Sequence, residues 1–298
     1  MVNDFDRPFP ALTPAQRLHF EIYGYVIVEN TLSAAEVARC KDALYALREE
    51  IEALDDPSSH GPRVRGAYFT GNSPTDCLLS NVIEAAPALT AYSTHPRLVG
   101  MAEEVMGCAP KIVEVAAIMN HRREGEHCHV FHRGMDVPYG SHEKGGLYHC
   151  TFVKTLTNLT DLGPDNGGTV VIAGSHKLDL PQEELIAIAE ADRSLIHQVV
   201  APAGSTLLLA ETLIHGTGEN RSDKERVIIV CGYGTRMYPY WDNGELSDAF
   251  RESIPPALVR LFLGRKHWNR QLRYRKLSDP VDQREFELGT WDDRVPLE

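Results

Sequence analysis

From Lys111 onward the chain is written in short runs of β-branched or alternating residues, each closed by Gly, Pro, Asn or Asp. Val113–Met119, Tyr148–Leu159, Thr169–Ile172, Leu195–Val200, Thr206–Leu209 and Val227–Tyr233 read as strands, and Gln182–Ala191 interrupts them as a helix. Many short strands joined by polar turns point to a sandwich or jelly roll rather than to a parallel sheet. The expected class is therefore mainly β with flanking helices.

The helices fall before and after that region. Thr13-Pro14 reads as an N-cap and first helical position, opening a helix that runs towards Gly24. Gly24–Glu29 reads as a short apolar strand. Ser33-Ala-Ala-Glu36 is a capping box, followed by Val37, Leu44, Leu47, Ile51 and Leu54 recurring on one helical face. Residues 56–75, with their prolines, glycines, Arg63 and Arg65, are expected to form a long loop. Pro96–Met106 reads as a helix closed by Gly107, and Pro256–Leu263 as another near the end. No repeat, low-complexity tract or linker divides the chain. The expectation is one domain over 1–298, with a helical part at about 12–107, a β core at about 110–235 and an extension at about 236–298.

Composition narrows the function. Hydrophobic residues make up 43% of the 298 and charged residues 24%, ordinary for a chain with a sizeable core. The formal charge is −12, and no Lys/Arg-rich run occurs, which argues against nucleic acid as a partner. No apolar run is long enough for a membrane span, and the acidic start has no signal-peptide pattern, so a cytoplasmic protein is expected. The six cysteines form no CxxC pair and read as reduced thiols.

The chemistry concentrates in Leu213-Ile-His-Gly-Thr-Gly-Glu-Asn-Arg-Ser-Asp-Lys-Glu-Arg226. His215 and Thr217 share strand parity, and the turn through Glu219–Asp223 can return Arg226 beside the histidine. An imidazole for a metal and a fork-shaped cation for a dicarboxylic acid are what a 2-oxoglutarate site needs. Three further pieces accompany it: Asp165-Asn-Gly-Gly-Thr-Val-Val-Ile-Ala-Gly-Ser-His-Lys177, Phe131-His-Arg-Gly-Met-Asp136, and Phe20-Glu-Ile-Tyr-Gly-Tyr-Val-Ile-Val28.

Together, over about residues 12–235, these pieces resemble the phytanoyl-CoA dioxygenase family of Fe(II)- and 2-oxoglutarate-dependent oxygenases. The resemblance implies a double-stranded β-helix, a cupin-like jelly roll with Fe(II) at its open end. By that resemblance His132 and His215 are the metal histidines. Arg226 takes the far carboxylate of 2-oxoglutarate with help from the Thr217 hydroxyl, and Asn120 is a candidate for the cosubstrate's other end. O2 is the oxidant, a small-molecule metabolite the substrate, and hydroxylation of an unactivated C–H bond with release of succinate and CO2 the expected outcome.

One position departs from the family. Its metal motif is His-x-Asp, but this chain has His132-Arg133-Gly134. Asp136 has the right parity, yet at roughly 3.3 Å per residue a straight strand puts it about 13 Å from His132 rather than about 6.6 Å. Gly134 and Pro138 would permit a bend between them. Three readings follow. Asp136 or another acid completes an oxygenase site; chloride fills the position left at Gly134, as in the similar non-haem iron halogenases; or the metal site is impaired and the chain is a non-catalytic jelly-roll binding module.

Other histidines and cations have plainer roles. His127, Cys128, His129, His142 and His149 form a His-rich region, but the glutamate a cupin would place after His127-x-His129 is replaced by Arg133-Gly134, so polar or core roles are expected. His176 is expected to be structural, and Arg63 and Arg65 to be solvated loop cations. Arg133 and Lys154 lie nearer the site, Lys154 sharing parity with Leu156 and Asn158. Tyr238, Tyr240 and Trp241 line either the substrate mouth or the core.

Overall fold

Capping chemistry sets the first elements. In helix α1 (Pro14–Tyr23) the Thr13 hydroxyl accepts from Gln16 N, and the Gln16 side chain accepts from Thr13 N. Gly24 ends α1 with φ 80° and donates its N–H to Phe20 O; a Cβ there would run into the His176 ring, so only glycine fits both the turn and the space. Strand β1 (Tyr25–Val28) follows. Helix α2 (Ala34–Glu52) starts at the Ser33–Glu36 capping box and buries Val37, Cys40, Leu44, Leu47 and Ile51. The computed structural model describes residues 11–122, 129–240 and 246–262.

The segment read as a long loop holds more order than expected. Strand β2 (Tyr68–Asn72) lies within residues 56–75, and β3 (Asp76–Ser80) follows it directly. Their signal is faint because Thr70, Gly71 and Asn72 are exposed and polar, and partner strand pairing supplies the order instead. Arg65 is no free loop cation: it forks onto the Glu50 carboxylate at 2.7 and 2.9 Å and donates from Nε to Ala85 O. Arg63 stacks over the Tyr68 ring, 4.2 Å from its centroid.

Helices α3 (Pro87–Ser93) and α4 (Pro96–Met106) lead into β4 (Lys111–Asn120). The short helix α5 (Val137–Gly140) opens the hairpin of β5 (Ser141–Lys144) and β6 (Leu147–Cys150), and β7 (Phe152–Asn158) follows. The run read as one strand, Tyr148–Leu159, is thus two, broken at Thr151. Then come β8 (Val170–Ile172), α6 (Gln182–Ala191), β9 (Ile196–Gln198), β10 (Thr206–Ala210), β11 (His215–Gly216) and β12 (Arg226–Gly234). Helices α7 (Asp248–Ser253) and α8 (Val259–Phe262) close the described chain, α8 preceded by a 3-10 turn at Pro256–Leu258.

The strands build a seven-stranded antiparallel sheet in the order β1-β10-β7-β12-β4-β3-β2, and a small sheet in the order β11-β8-β9 that a bridge between His132 and His215 extends by one position. Alternation along the strands separates their two faces. On β12, Val227, Ile229, Cys231 and Tyr233 join the core beneath α2, α3 and α4, whereas Ile228 and Val230 pack inward with Ala116, Leu156, Val171, Leu207, Leu209 and Leu213. A third core, Phe131, Val170, Ile172, Leu185, Ala189 and Ile214, seats α6 on the outside of the small sheet. This is a jelly roll with helices covering the large sheet, and its interior lies between the two sheets. No helix among the described residues is long and apolar enough to cross a membrane.

Candidate metal and cosubstrate site

The same alternation decides what faces the interior. Residues sharing parity with the inward set of each strand are Arg226 on β12, Asn120 and Glu114 on β4, Lys154 and Asn158 on β7, and Glu211 just past β10. On the small sheet, Val171 faces inward and pairs directly with His215, which in turn bridges His132; Thr169 lies two residues before Val171 on the same face. The inward polar residues thus form two groups: Arg226, Asn120 and Asn158 at one end of the sheet, and Lys154, Glu114 and Glu211 six residues further along β12 and β4, with Ile228, Val230, Ala116 and Leu156 between them.

His132 and His215 exchange both backbone hydrogen bonds at 2.9 Å, and their rings stand 4.3 Å apart. Each imidazole is held through Nδ1 by the carbonyl two residues before it: Leu213 O at 2.9 Å for His215, Val130 O at 3.3 Å for His132. An Nδ1–H committed to a carbonyl leaves the Nε2 lone pair as the metal-binding atom, the arrangement that orients a ligand histidine. Burial, then the neighbouring His132, pushes the His215 pKa down to about 3. A neutral imidazole is the form that ligates.

A carboxylate stands beside this pair. Glu211 is 1% exposed, and its Oε1 is 4.0 Å from His215 Nε2. Neither carboxylate oxygen accepts a hydrogen bond from the described residues. Lys154 Nζ lies 3.5 Å from Glu211 Oε2 and 3.2 Å from Glu114 Oε2. Burial works against the Lys154 ammonium, but Glu211 and then Glu114 outweigh it and hold its pKa above the ordinary lysine value. Among the described residues no three His, Cys, Asp or Glu side chains are already drawn together as a closed ligand set. The oriented imidazoles and the buried acid nevertheless fit Fe(II), which takes nitrogen and oxygen donors of this kind.

Arg226 is the largest fully buried side chain among the described residues, 1% exposed. Nη1 donates to Asn120 Oδ1 at 2.6 Å and Nη2 to Thr169 Oγ1 at 3.0 Å; Nε has no acceptor among the described residues. Asn120 in turn donates from Nδ2 to Asp76 Oδ1 at 2.6 Å. Burial lowers the Arg226 pKa to about 10, with Asp76 offsetting part of the effect. A buried guanidinium held by a neutral amide and a hydroxyl, with a donor to spare, fits an incoming carboxylate. Thr169, which the guanidinium touches, is one strand step of about 6.6 Å from Val171, the cross-strand partner of His215.

Several site residues sit differently from their sequence reading. Asn120 meets Arg226 itself rather than the opposite end of the site, because the β4–β12 register pairs the two residues directly. The hydroxyl on Arg226 belongs to Thr169; Thr217 is half-buried past the end of β11, its carbonyl 3.2 Å from His129 Nδ1. Asp136 is exposed at the N-terminus of α5, near Arg133, and Gly134 is backed against Glu211. Arg133 donates to Leu178 O. Glu211, Thr169 and Asp76 were not singled out from sequence; Glu211 four residues before His215 was the one available signal.

The histidines expected to be structural have packing partners. His176 is fully buried with Tyr148 edge-on at 4.8 Å, and His142 stacks on His149 across the β5–β6 hairpin at 5.4 Å. Tyr238 meets the Thr151 hydroxyl, and Tyr240 donates to Asn81 Oδ1. His127, Cys128 and Trp241 lie outside the described residues.

The profile of the phytanoyl-CoA dioxygenase (PhyH) family matches residues 20–228. Dioxygenase cdmD of Talaromyces verruculosus is 30% identical over 85% of this chain and 84% of its own length. Dioxygenase FUM3 of Gibberella moniliformis is 36% identical over 74% and 72%. Among solved structures, HygX of Streptomyces hygroscopicus with nickel and 2-oxoglutarate bound superposes with a TM-score of 0.60 at 21% identity, covering 78% of this chain and 90% of that one.

Proposed function

The chain belongs to the phytanoyl-CoA dioxygenase family and is an Fe(II)- and 2-oxoglutarate-dependent dioxygenase; on that premise we propose that it hydroxylates an unactivated C–H bond of a small-molecule metabolite. The balanced reaction converts substrate C–H, 2-oxoglutarate and O2 into substrate C–OH, succinate and CO2. His132 and His215 would hold Fe(II), and the bound ion supplies the coupling of O2 reduction to 2-oxoglutarate decarboxylation.

The chain's own groups bind and orient. The Leu213 and Val130 carbonyls fix the two imidazoles with Nε2 outward. Arg226 anchors the far carboxylate of 2-oxoglutarate, while Asn120 and Thr169 hold its guanidinium in place and Asp76 holds Asn120. Ile228, Val230, Leu207 and Leu209 keep the interior dry, which strengthens each charge-assisted bond. We extend the proposal to one oxygenase domain over 1–298, supported by β1, β2 and β3 of the helical part entering the same sheet as β12.

The observation that carries the reading is Arg226, a fully buried cation whose Nε has no acceptor among the described residues. A jelly-roll binding module without cosubstrate has no use for it. Halogenation needs an open position at Gly134, and the Glu211 carboxylate stands where a side chain from that residue would point. The test is incubation with Fe(II) and 2-oxoglutarate, with succinate read by mass spectrometry. Iron- and O2-dependent succinate, with no chlorinated product in chloride buffer, is expected. Absence of succinate under every condition would leave the binding module.

A further inference from the structure

Gly134 and Glu211 are coupled in a way that neither shows alone. Gly134 follows His132 by two residues and sits in the bend just after the His132–His215 bridge. The Gly134 backbone carries no positive φ, and a Cβ built on it would overlap Glu211 Oε2. A side chain at position 134 and the Glu211 carboxylate compete for the same space, and in this chain the carboxylate holds it. The two segments are fastened together, since Gly134 N and Met135 N donate to Glu211 O at 2.9 and 3.1 Å. Glu211 N in turn donates to Phe152 O at 3.1 Å, which fixes its strand end against the large sheet.

We infer that Glu211 supplies the carboxylate ligand of the iron site, reaching from the end of β10 into the place that an aspartate at position 134 would take. This inference rests on the oxygenase reading above. Charge supports it: Glu114 and Glu211 are two carboxylates facing one ammonium, Lys154, and Glu211 is the buried one of the two. An uncompensated buried charge is costly, and a divalent cation removes the cost. Among the described residues Glu211 Oε1 has no hydrogen-bond donor, and Oε2 faces the Lys154 ammonium at 3.5 Å, which leaves lone pairs available. Donor atoms on one first-row ion stand about 3 Å apart, so the 4.0 Å from Oε1 to His215 Nε2 closes with a side-chain movement of about 1 Å. Asp136 has no such placement, being exposed at the α5 N-terminus.

The test is anaerobic equilibrium dialysis with Fe(II), and Co(II) absorption as a second readout, on wild type, Glu211→Gln and the double variant Glu211→Ala/Gly134→Asp. Outer-shell partners cost roughly 10- to 100-fold in metal affinity when lost, so removing a ligand is expected to weaken binding by on the order of 100-fold or more. The double variant returns an acid to the same space from the other strand and is expected to recover most of that loss, which a merely structural role for Glu211 would not produce. Glu211→Gln binding as tightly as wild type overturns the assignment while leaving the oxygenase reading intact. A folded double variant that recovers no affinity also overturns it. Wild type that takes up neither metal overturns the oxygenase reading, and this inference falls with it.

Discussion

Replacing Arg226 with glutamine removes a charge from the interior while keeping an amide that can reach Asn120 or Thr169. In the free chain Nη1 and Nη2 are engaged at 2.6 and 3.0 Å and Nε is spare. Among the described residues no carboxylate hydrogen-bonds the guanidinium; Asp76 reaches it through Asn120 and through its charge. The substitution therefore strips no direct ion pair from the apo protein, and the loss falls on the incoming 2-oxoglutarate carboxylate. A hydrogen bond to a charged group contributes about 1.5–3 kcal/mol. Truncating one partner of a buried charge pair costs about 2–5 kcal/mol. At about 1.4 kcal/mol per tenfold, the KM for 2-oxoglutarate is expected to rise roughly 30- to 3,000-fold. Fe(II) binding without cosubstrate should be unchanged, because Arg226 makes no contact with either imidazole. The assay is succinate formation against 2-oxoglutarate concentration at saturating Fe(II), beside metal dialysis. A KM close to the wild-type value would refute the role of Arg226, and an equal loss of Fe(II) binding would show that the substitution damaged the fold.

Three further outcomes follow from packing. Burial, with Lys177 nearby, lowers the His176 pKa to about 4 from 6.5. Its neutral form therefore adds stability that is complete above pH 6.5 and is lost as pH falls towards 4, a contribution of about 3 kcal/mol at about 1.36 kcal/mol per pH unit; His176→Asn should flatten that part of the stability–pH curve, and an unchanged slope would contradict the assignment. Gly24→Ala forces a side chain to φ 80° and into the His176 ring, so thermal melting should show a loss of at least about 1 kcal/mol. Tyr92→Phe removes a buried hydroxyl within 3.0 Å of both Ile229 O and Thr157 Oγ1, and should lower Tm by a few degrees for about 1 kcal/mol.

Much of the fold was legible because its signals are local. The Thr13 N-cap, the Ser33 capping box, the Val37–Ile51 stripe and the β-branched runs of β4, β8 and β12 are decided within a few residues of sequence. β2 was not legible, since Thr-Gly-Asn reads as loop and becomes strand through its register with β3. The site divides the same way. His132, His215 and Arg226 are carried by compact motifs. Asn120 against Arg226 depends on the β4–β12 register, and Thr169 rather than Thr217 on Arg226 depends on β8 lying beside β11. Glu211 was hidden because Ala-Glu-Thr after three leucines reads as an ordinary strand end, and its meaning comes only from Gly134 on a distant segment.

The central claim is that His132, His215 and Arg226 assemble one site for Fe(II) and 2-oxoglutarate. Its most direct test is an anaerobic absorbance titration of metal-free protein with Fe(II) and then 2-oxoglutarate, with and without chloride. The account predicts a visible metal-to-ligand charge-transfer band that needs both additions, does not shift with chloride, and is lost in His215→Ala. No band in either buffer would contradict it.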